Sequence, residues 1–244
     1  MVAFAPNRIV EKVNRSRKLQ AIVFWTKDPT NLVQHSGLSW ICKTTPSIVQ
    51  LTVTGLGGGV WEPHVPTLDK VVQATDELVK HMPVEAIRWR FDPIIATQDV
   101  LERFLLVKDK LTKTLGTIEE VTVSFPDPYK KAVQRIKESG MEWPEMQQEQ
   151  KKDIIGVMAE SFDVDAIAPI KLCCEPELLN LQGVGQAHCI DGRLFKKIYG
   201  LDFGELDKDP GQRAACGCVK STDIGSYDLA CPHACRYCYA NPSE

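Results

Sequence analysis

The sequence predicts an α/β protein in which parallel strands and helices alternate to form a partial or full (β/α) TIM-like barrel, with a cysteine-rich C-terminal tail folded over the barrel mouth. Three observations carry that expectation. Short apolar runs alternate with helical patterns along most of the chain, as in βα units around a parallel sheet. The 244 residues, 43% of them hydrophobic, suffice for one substantial core, and such lengths are common for single α/β barrels. Chemically distinctive residues follow the strand-like runs directly, at the end where such barrels carry their sites. Residues 1–170 read as the barrel core and 171–244 as a cysteine-rich segment of the same compact domain, with no internal repeat or low-complexity linker.

The first strand is Ala21 to Trp25, stopped by Thr26-Lys27-Asp28-Pro29, whose Asp and Pro would cap a short helix. Asn31 to Trp40 is only weakly periodic. The second strand, Ser47 to Thr54, runs into Gly55-Leu-Gly-Gly-Gly59, where glycines permit a sharp turn or the close approach of a ligand. This run is not a phosphate loop, since no Gly-Lys-Ser/Thr follows, and the dinucleotide fingerprint fails at its third glycine. Thr67 suits the N-cap of a helix reaching about Met82, with Leu68, Val71, Val72, Leu78, Val79 and Met82 on a core-facing stripe.

The third strand, Ala86 to Phe91, places Arg88 and Arg90 on one face and Trp89 and Phe91 on the other. An arginine facing inward needs an anion, supplied by Asp92, a neighbouring glutamate or a ligand carboxylate. A helix from Gln98 to Leu115 brings Leu101, Phe104, Leu105, Lys108 and Leu111 to one side, and the strand Ile118 to Ser124 follows. Lys130 to Glu138 reads as a helix stopped by Gly140, and Pro144 begins another that turns Ile154, Ile155 and Met158 inward. The fifth strand, Val164 to Ile170, leads to Cys173-Cys174-Glu175. Beyond it the chain reads as irregular, except for a short helix opened by Cys189-Ile-Asp191 and running to Tyr199.

The formal net charge of -3 gives no electrostatic reason to expect nucleic acid or an anionic membrane as the main partner. No apolar run approaches the ~20 residues of a membrane span, and the opening Met-Val-Ala-Phe-Ala-Pro is too short for a signal-peptide core. A cytoplasmic protein is expected. There, nine cysteines argue for metal ligation more than for disulfides.

Three of those thiols lie within the eight residues Cys231-Pro-His-Ala-Cys235-Arg-Tyr-Cys238. One short loop can wrap such sulfurs around a single inorganic centre, and thiolate is the ligand that iron-sulfur clusters demand. A 4Fe-4S cube on three thiolates leaves one iron open to a small molecule carrying an amine and a carboxylate. The alternatives are zinc completed by His233 or a distant cysteine, or reduced cysteines without metal; zinc loops more often pair two short cysteine motifs. Cys42 reads as a packing residue. Cys173, Cys189, Cys216 and Cys218 could gather around a second centre, either a 4Fe-4S cluster or zinc, or remain reduced in the core. Cys174 competes with Cys173.

The Cys231–Cys238 spacing, with Tyr237 just before the last cysteine, resembles the cluster loop of radical S-adenosylmethionine (radical SAM) enzymes. Val23-Phe-Trp-Thr-Lys-Asp-Pro29, Arg88-Trp-Arg-Phe-Asp-Pro-Ile94, Cys189-Ile-Asp191, Cys216-Gly-Cys218 with Asp223-Ile-Gly225, and Cys231 to Ala240 together resemble the DUF1848 family. That family is similar to radical SAM proteins with the cluster motif moved to the C-terminus, and distantly to spore photoproduct lyase. The resemblance covers most of the chain from about residue 20, and the family's usual initial strand with a Ser-Arg-Arg-Thr-Asp-like stretch is missing.

The resemblance implies that Cys231, Cys235 and Cys238 hold a SAM-binding 4Fe-4S cluster, with the Tyr237 region beside the adenine. It implies Glu62 as the acidic group that receives the methionine amine, although the usual Gly-Gly-Glu is absent. Arg90 and Asp92 would bind the SAM carboxylate or ribose, and Lys27 and Ser124 would stand near substrate as catalytic candidates. The family pattern of Cys, one residue, then Glu matches Cys173 and Glu175, and so favours Cys173 over Cys174. The implied activity takes an electron from a donor such as flavodoxin or ferredoxin. It cleaves SAM to a 5'-deoxyadenosyl radical, which takes a hydrogen atom from an unknown substrate. An iron-sulfur electron carrier without SAM, or a zinc-stapled binding module, are the other classes compatible with the same residues.

Overall fold

The computed structural model describes residues 6–16, 19–162, 167–225 and 231–240. Six strands form one sheet: β1 (Ile22–Thr26), β2 (Ser47–Thr52), β3 (Ile87–Phe91), β4 (Val121–Val123), β5 (Ile170–Leu172) and β6 (Val184–Gln186). They lie side by side in sequence order, and every neighbouring pair is parallel. Parallel neighbours need crossovers. These are supplied by α2 (Thr30–Gln34) and α3 (Ser36–Thr44), then α4 (Leu68–Leu78), α5 (Val100–Leu115), and α6 (Lys130–Glu138) with α7 (Gln148–Glu160). The first helix, α1 (Pro6–Arg15), precedes the sheet and α8 (Gly192–Tyr199) follows it. The fold is α/β, a partial (β/α) barrel; among the described residues β1 and β6 do not pair with each other.

Side chains alternate across each strand, and the two faces differ sharply. Phe24, Val49, Leu51, Ile87, Trp89, Phe91, Val121, Val123, Ile170 and Leu172 join one buried cluster with residues of the helices. At its centre Phe104 of α5 stacks on Trp89 at 5.1 Å and meets the edge of Phe91 at 5.2 Å. The register then fixes the other face: Trp25 stands beside Gln50, Gln50 beside Arg88, Arg90 beside Thr122, and Thr122 beside Lys171. Closed barrels of this class fill that inner face with packed apolar layers; here it is polar and charged.

Several expected boundaries move, each for a local reason. The weakly periodic stretch after β1 is helical, as α2 and α3. Asp28 Oδ1 accepts the Thr30 N–H at 2.9 Å at the start of α2, and the His35 ring accepts the Leu38 N–H at 3.4 Å at the start of α3. In α5 the inward stripe is Val100, Arg103, Phe104, Val107 and Leu111, while Leu105 is exposed. Arg103 takes an inward place because its guanidinium donates to the Thr54 carbonyl at 2.9 Å and to Asp99 and Thr97, both at 2.7 Å. The next helix, α7, starts at Gln148 rather than Pro144, because Gln147 and Gln150 form a reciprocal capping box.

The pairing part of β4 is three residues long, and β5 is displaced to Ile170–Leu172; residues 164–166 of its expected span lie outside the described residues. Position 170 therefore starts a strand instead of ending the barrel core. The sheet continues through β6, and Tyr199 of α8 donates to the Ser47 carbonyl at 2.7 Å, tying this later segment back to β2. Neither α1, which packs on Ile9 and Val13, nor β6 was expected. Among the described residues no helix is long and apolar enough to cross a membrane.

Candidate functional site

The two-residue alternation of the polar face, continued past the strand ends, reaches Lys27 after β1, Thr54 after β2, Asp92 after β3, Ser124 after β4 and Cys173 after β5. Their side chains meet in one network. Lys27 Nζ lies 2.9 Å from Glu62 Oε1 and 3.5 Å from the Asp92 carbonyl. Thr54 Oγ1 donates to Glu62 Oε1 at 2.7 Å, and the Tyr237 hydroxyl donates to the same oxygen. Asp92 accepts from Ser124 on one oxygen and from Arg90 on the other. The second Arg90 arm donates to Cys189 Sγ at 2.6 Å. All six residues expected to bind cofactor or substrate, namely Lys27, Glu62, Arg90, Asp92, Ser124 and Tyr237, thus belong to it.

Glu62 is only 1% exposed, and the glycine run brings it there. Gly58 has a φ of +76° and its N–H donates to the Glu62 carbonyl at 3.0 Å, folding the chain back toward Thr54. A Cβ on Gly57 would lie 2.0 Å from the Pro66 carbonyl oxygen, so this turn closes only with glycine.

Electrostatics keep the network charged. Burial alone would push Lys27 down, yet Glu62, then the Cys235 thiol and Asp92, hold it above the ordinary lysine value. Burial likewise opposes ionisation of Glu62, and Lys27 with the Tyr237 and Thr54 hydroxyls wins, holding that carboxyl low. Asp92 follows the same pattern, with burial outweighed by Arg90, Ser124 and Lys27.

The segment from Cys231 to Ala240 lies against the loop after β2 and against α6. Arg236 donates its N–H to the Trp61 carbonyl at 3.0 Å and its Nε to the Val60 carbonyl at 2.7 Å, and it also binds Ser139. Arg135 of α6 donates to the Cys238 carbonyl at 2.8 Å. Cys231, Cys235 and Cys238 are close enough for their charges to interact, and both Lys27 and Glu62 act on Cys235. Burial pushes the Cys235 thiol up to about 12. Lys27 Nζ stands 5.7 Å from the centre of the Tyr237 ring. Among the described residues no three His, Cys, Asp or Glu side chains converge tightly enough to chelate a single metal ion.

The other four nominated cysteines are also brought together. Cys189, Cys216 and Cys218 form one buried cluster, with Cys173, Cys174 and Trp25 packed against it. The pairing of β5 with β6 explains part of this: Leu172 stands beside Gln186, which sets the residues following each strand side by side. Cys42 is elsewhere, buried in the apolar core on α3.

Sequence reasoning missed Gln50, which is 3% exposed on the polar face. Its Nε2 donates to the Cys189 carbonyl at 2.8 Å, and its Oε1 is buried without a hydrogen-bond partner among the described residues. A cavity of about 190 Å³ lies beside it, lined by Arg88, Thr122, Lys171 and His188 among others. A glutamine inside an otherwise apolar strand was the available signal. Glu175, named only through its spacing from Cys173, is buried and accepts the Phe125 N–H at 3.0 Å; burial pushes it up to about 7.

The class defined here is an α/β protein with a parallel partial barrel, an ionised network at its strand ends and thiols on both flanks. The model described as domain of unknown function DUF1848 matches residues 2–240. The chain belongs to that family, and the match takes in α1 as well as the span from residue 20 onward. No curated protein and no solved structure matches it.

Proposed function

We propose that the protein is a radical SAM enzyme whose cluster is held by Cys231, Cys235 and Cys238. The observation that carries this reading is the contact between the cysteine loop and the strand-end network: Tyr237, between Cys235 and Cys238, donates to Glu62, which also binds Lys27 at 2.9 Å. The donor set fits the group. Three soft thiolates suit iron, and a cube is wider than a lone ion, whereas thiolates around one zinc stand only about 3.8 Å apart at its ~2.3 Å bonds. When bound there and reduced, such a cluster would supply the electron for reductive cleavage of SAM to methionine and 5'-deoxyadenosine, the second carrying a hydrogen atom taken from substrate.

The remaining work falls to side chains of this chain. Glu62, kept ionised in a buried site, offers a carboxylate to the amine of the methionine moiety once Lys27 or Tyr237 releases it. Arg90 and Asp92 present a fixed donor and acceptor for a carboxylate or ribose. Tyr237 stands between the cluster loop and Glu62, where its ring can bound the adenine. Lys27 after β1 and Ser124 after β4, both joined to Asp92, supply a proton donor and a hydroxyl facing substrate. The electron comes from a donor such as flavodoxin or ferredoxin.

Anaerobically reconstituted protein with a strong reductant is expected to convert SAM to 5'-deoxyadenosine and methionine, and Cys235→Ala to abolish the conversion. A cluster-replete wild type that cleaves no SAM, or undiminished cleavage by Cys235→Ala, would end this reading.

A further inference from the structure

We propose that Cys173, Cys189, Cys216 and Cys218 form a second, closed centre in which four thiolates hold a 4Fe-4S cluster, separate from the Cys231–Cys238 loop. The proposal does not depend on SAM chemistry. Four thiols from three distant stretches of chain meet here: one follows β5, one follows β6, and two sit on a loop that returns from beyond α8. Cys189, Cys216 and Cys218 pack in one buried cluster with Cys173 against it. Cys189, Cys216 and Cys218 are 7%, 8% and 7% exposed.

The backbone is laid out to produce this meeting. The 215–219 loop runs along the segment after β6: Gln186 donates to the Ala215 carbonyl at 3.0 Å, the His188 ring meets the Gly217 carbonyl at 2.6 Å, and the Val219 N–H donates to the Ile190 carbonyl at 3.1 Å. Between the two cysteines only glycine fits, because a Cβ on Gly217 would lie 2.6 Å from His188 Nδ1 and 2.7 Å from the Ala187 carbonyl oxygen. The Cys218 N–H donates to Cys216 Sγ at 3.4 Å, which fixes the turn between the two sulfurs.

Charge points the same way. Arg90, 5% exposed, spends one arm on Asp92 and the other on Cys189 Sγ. A permanently charged guanidinium gains much more from a thiolate than from a thiol, and buried thiolates persist when a metal or a cation holds them. Arg213 adds a second positive charge felt by Cys173 and Cys174. A 4Fe-4S cube on four thiolates leaves roughly two negative charges, which Arg90 and Arg213, each also paired with a carboxylate, Asp92 and Asp127, offset in part. Among the described residues no three of these side chains converge tightly enough for a single ion, and a cube is the wider centre that takes four thiolates.

The test uses the variant Cys231→Ala, Cys235→Ala, Cys238→Ala, produced with iron and zinc supplied, purified without oxygen and checked for folding by circular dichroism. About four irons with equal sulfide should remain per chain. That metal should be lost on adding Cys216→Ser and Cys218→Ser, and kept on adding Cys42→Ala. Zinc in place of iron and sulfide would overturn the cluster assignment. A folded, metal-free triple variant overturns the proposal. Should that variant fail to fold, Cys216→Ser with Cys218→Ser in the otherwise wild-type chain decides: loss of one centre's metal supports the site, and unchanged metal content refutes it. SAM cleavage is not part of the readout, so the two readings can fail independently.

Discussion

The Lys27–Glu62 pair offers the sharpest test of the network, because both partners are buried and one oxygen receives three donors. Lys27→Met keeps the apolar stem and removes the ammonium, leaving Glu62 with only the Thr54 and Tyr237 hydroxyls. Breaking a buried ion pair from one side costs about 3–5 kcal/mol. The two surviving hydrogen bonds to a charged acceptor offset part of that, so a loss of about 3 kcal/mol is expected. Glu62→Gln instead strands the ammonium, whose remaining acceptor among the described residues is the Asp92 carbonyl at 3.5 Å, and about 3–4 kcal/mol is expected. The double variant buries neither charge and should be no less stable than the worse single variant, a coupling of about 3 kcal/mol. For a chain of this size 1 kcal/mol shifts the melting temperature by about 2–4 °C, so Lys27→Met should lower it by about 6–12 °C and Glu62→Gln by about 6–16 °C. Urea unfolding followed by circular dichroism, with all four proteins in the same metal-loading state, gives the cycle. Additivity within about 0.5 kcal/mol would mean that the two side chains act separately, and would refute the network as a unit.

Two further outcomes follow from the same geometry. Burial would raise the Asp92 carboxyl, but Arg90, Ser124 and Lys27 hold it below the ordinary aspartate value; its stabilising contribution is therefore present above the usual carboxylate range and lost as pH falls through the lowered value. The stability gap between wild type and Asp92→Asn should accordingly be wide at pH 7 and narrow on acidification toward pH 3, and a gap independent of pH would contradict the assignment. Phe104, fully buried between Trp89, Phe91 and Phe162, should cost about 3–5 kcal/mol as Phe104→Ala; a loss under about 1 kcal/mol in chemical unfolding would mean that α5 does not anchor the apolar face of the sheet.

What could be read in advance was governed by strand periodicity. Arg88 and Arg90 opposite Trp89 and Phe91 follow from alternation alone, and Lys27, Asp92 and Ser124 follow from the same period carried past the strand ends. The return of Glu62 to Thr54 depends on a glycine turn closing against Pro66, which no local period encodes. Val184-Gly-Gln186 is too short and polar to announce a strand, and pairs only because β5 offers it an edge. In α5, Leu105 and Arg103 exchange their expected places because the carbonyl ends of β2 supply hydrogen bonds to a guanidinium. The four thiols could be nominated by counting, but their meeting requires β6 beside β5, the element the sequence concealed.

A sheet with charges on its inner face must satisfy them within the fold, and the way it does so ties the two thiol groups together. At the lower level Glu120 binds Arg88 and also stands 3.4 Å from Lys171, so one carboxylate serves two cations. Above it Gln50 holds the Cys189 carbonyl, and Arg90 holds both the Cys189 sulfur and Asp92. Asp92 in turn offers its carbonyl to Lys27, whose partner Glu62 is bound by Tyr237 two residues from Cys235. A continuous series of ionised and hydrogen-bonded groups therefore runs from Cys189 to the terminal cysteine loop. In a low-dielectric interior such interactions are strong. A change of charge on either set of thiols must then alter the balance that keeps Arg90, Asp92, Lys27 and Glu62 ionised, and each set sits in the field that the other helps to fix.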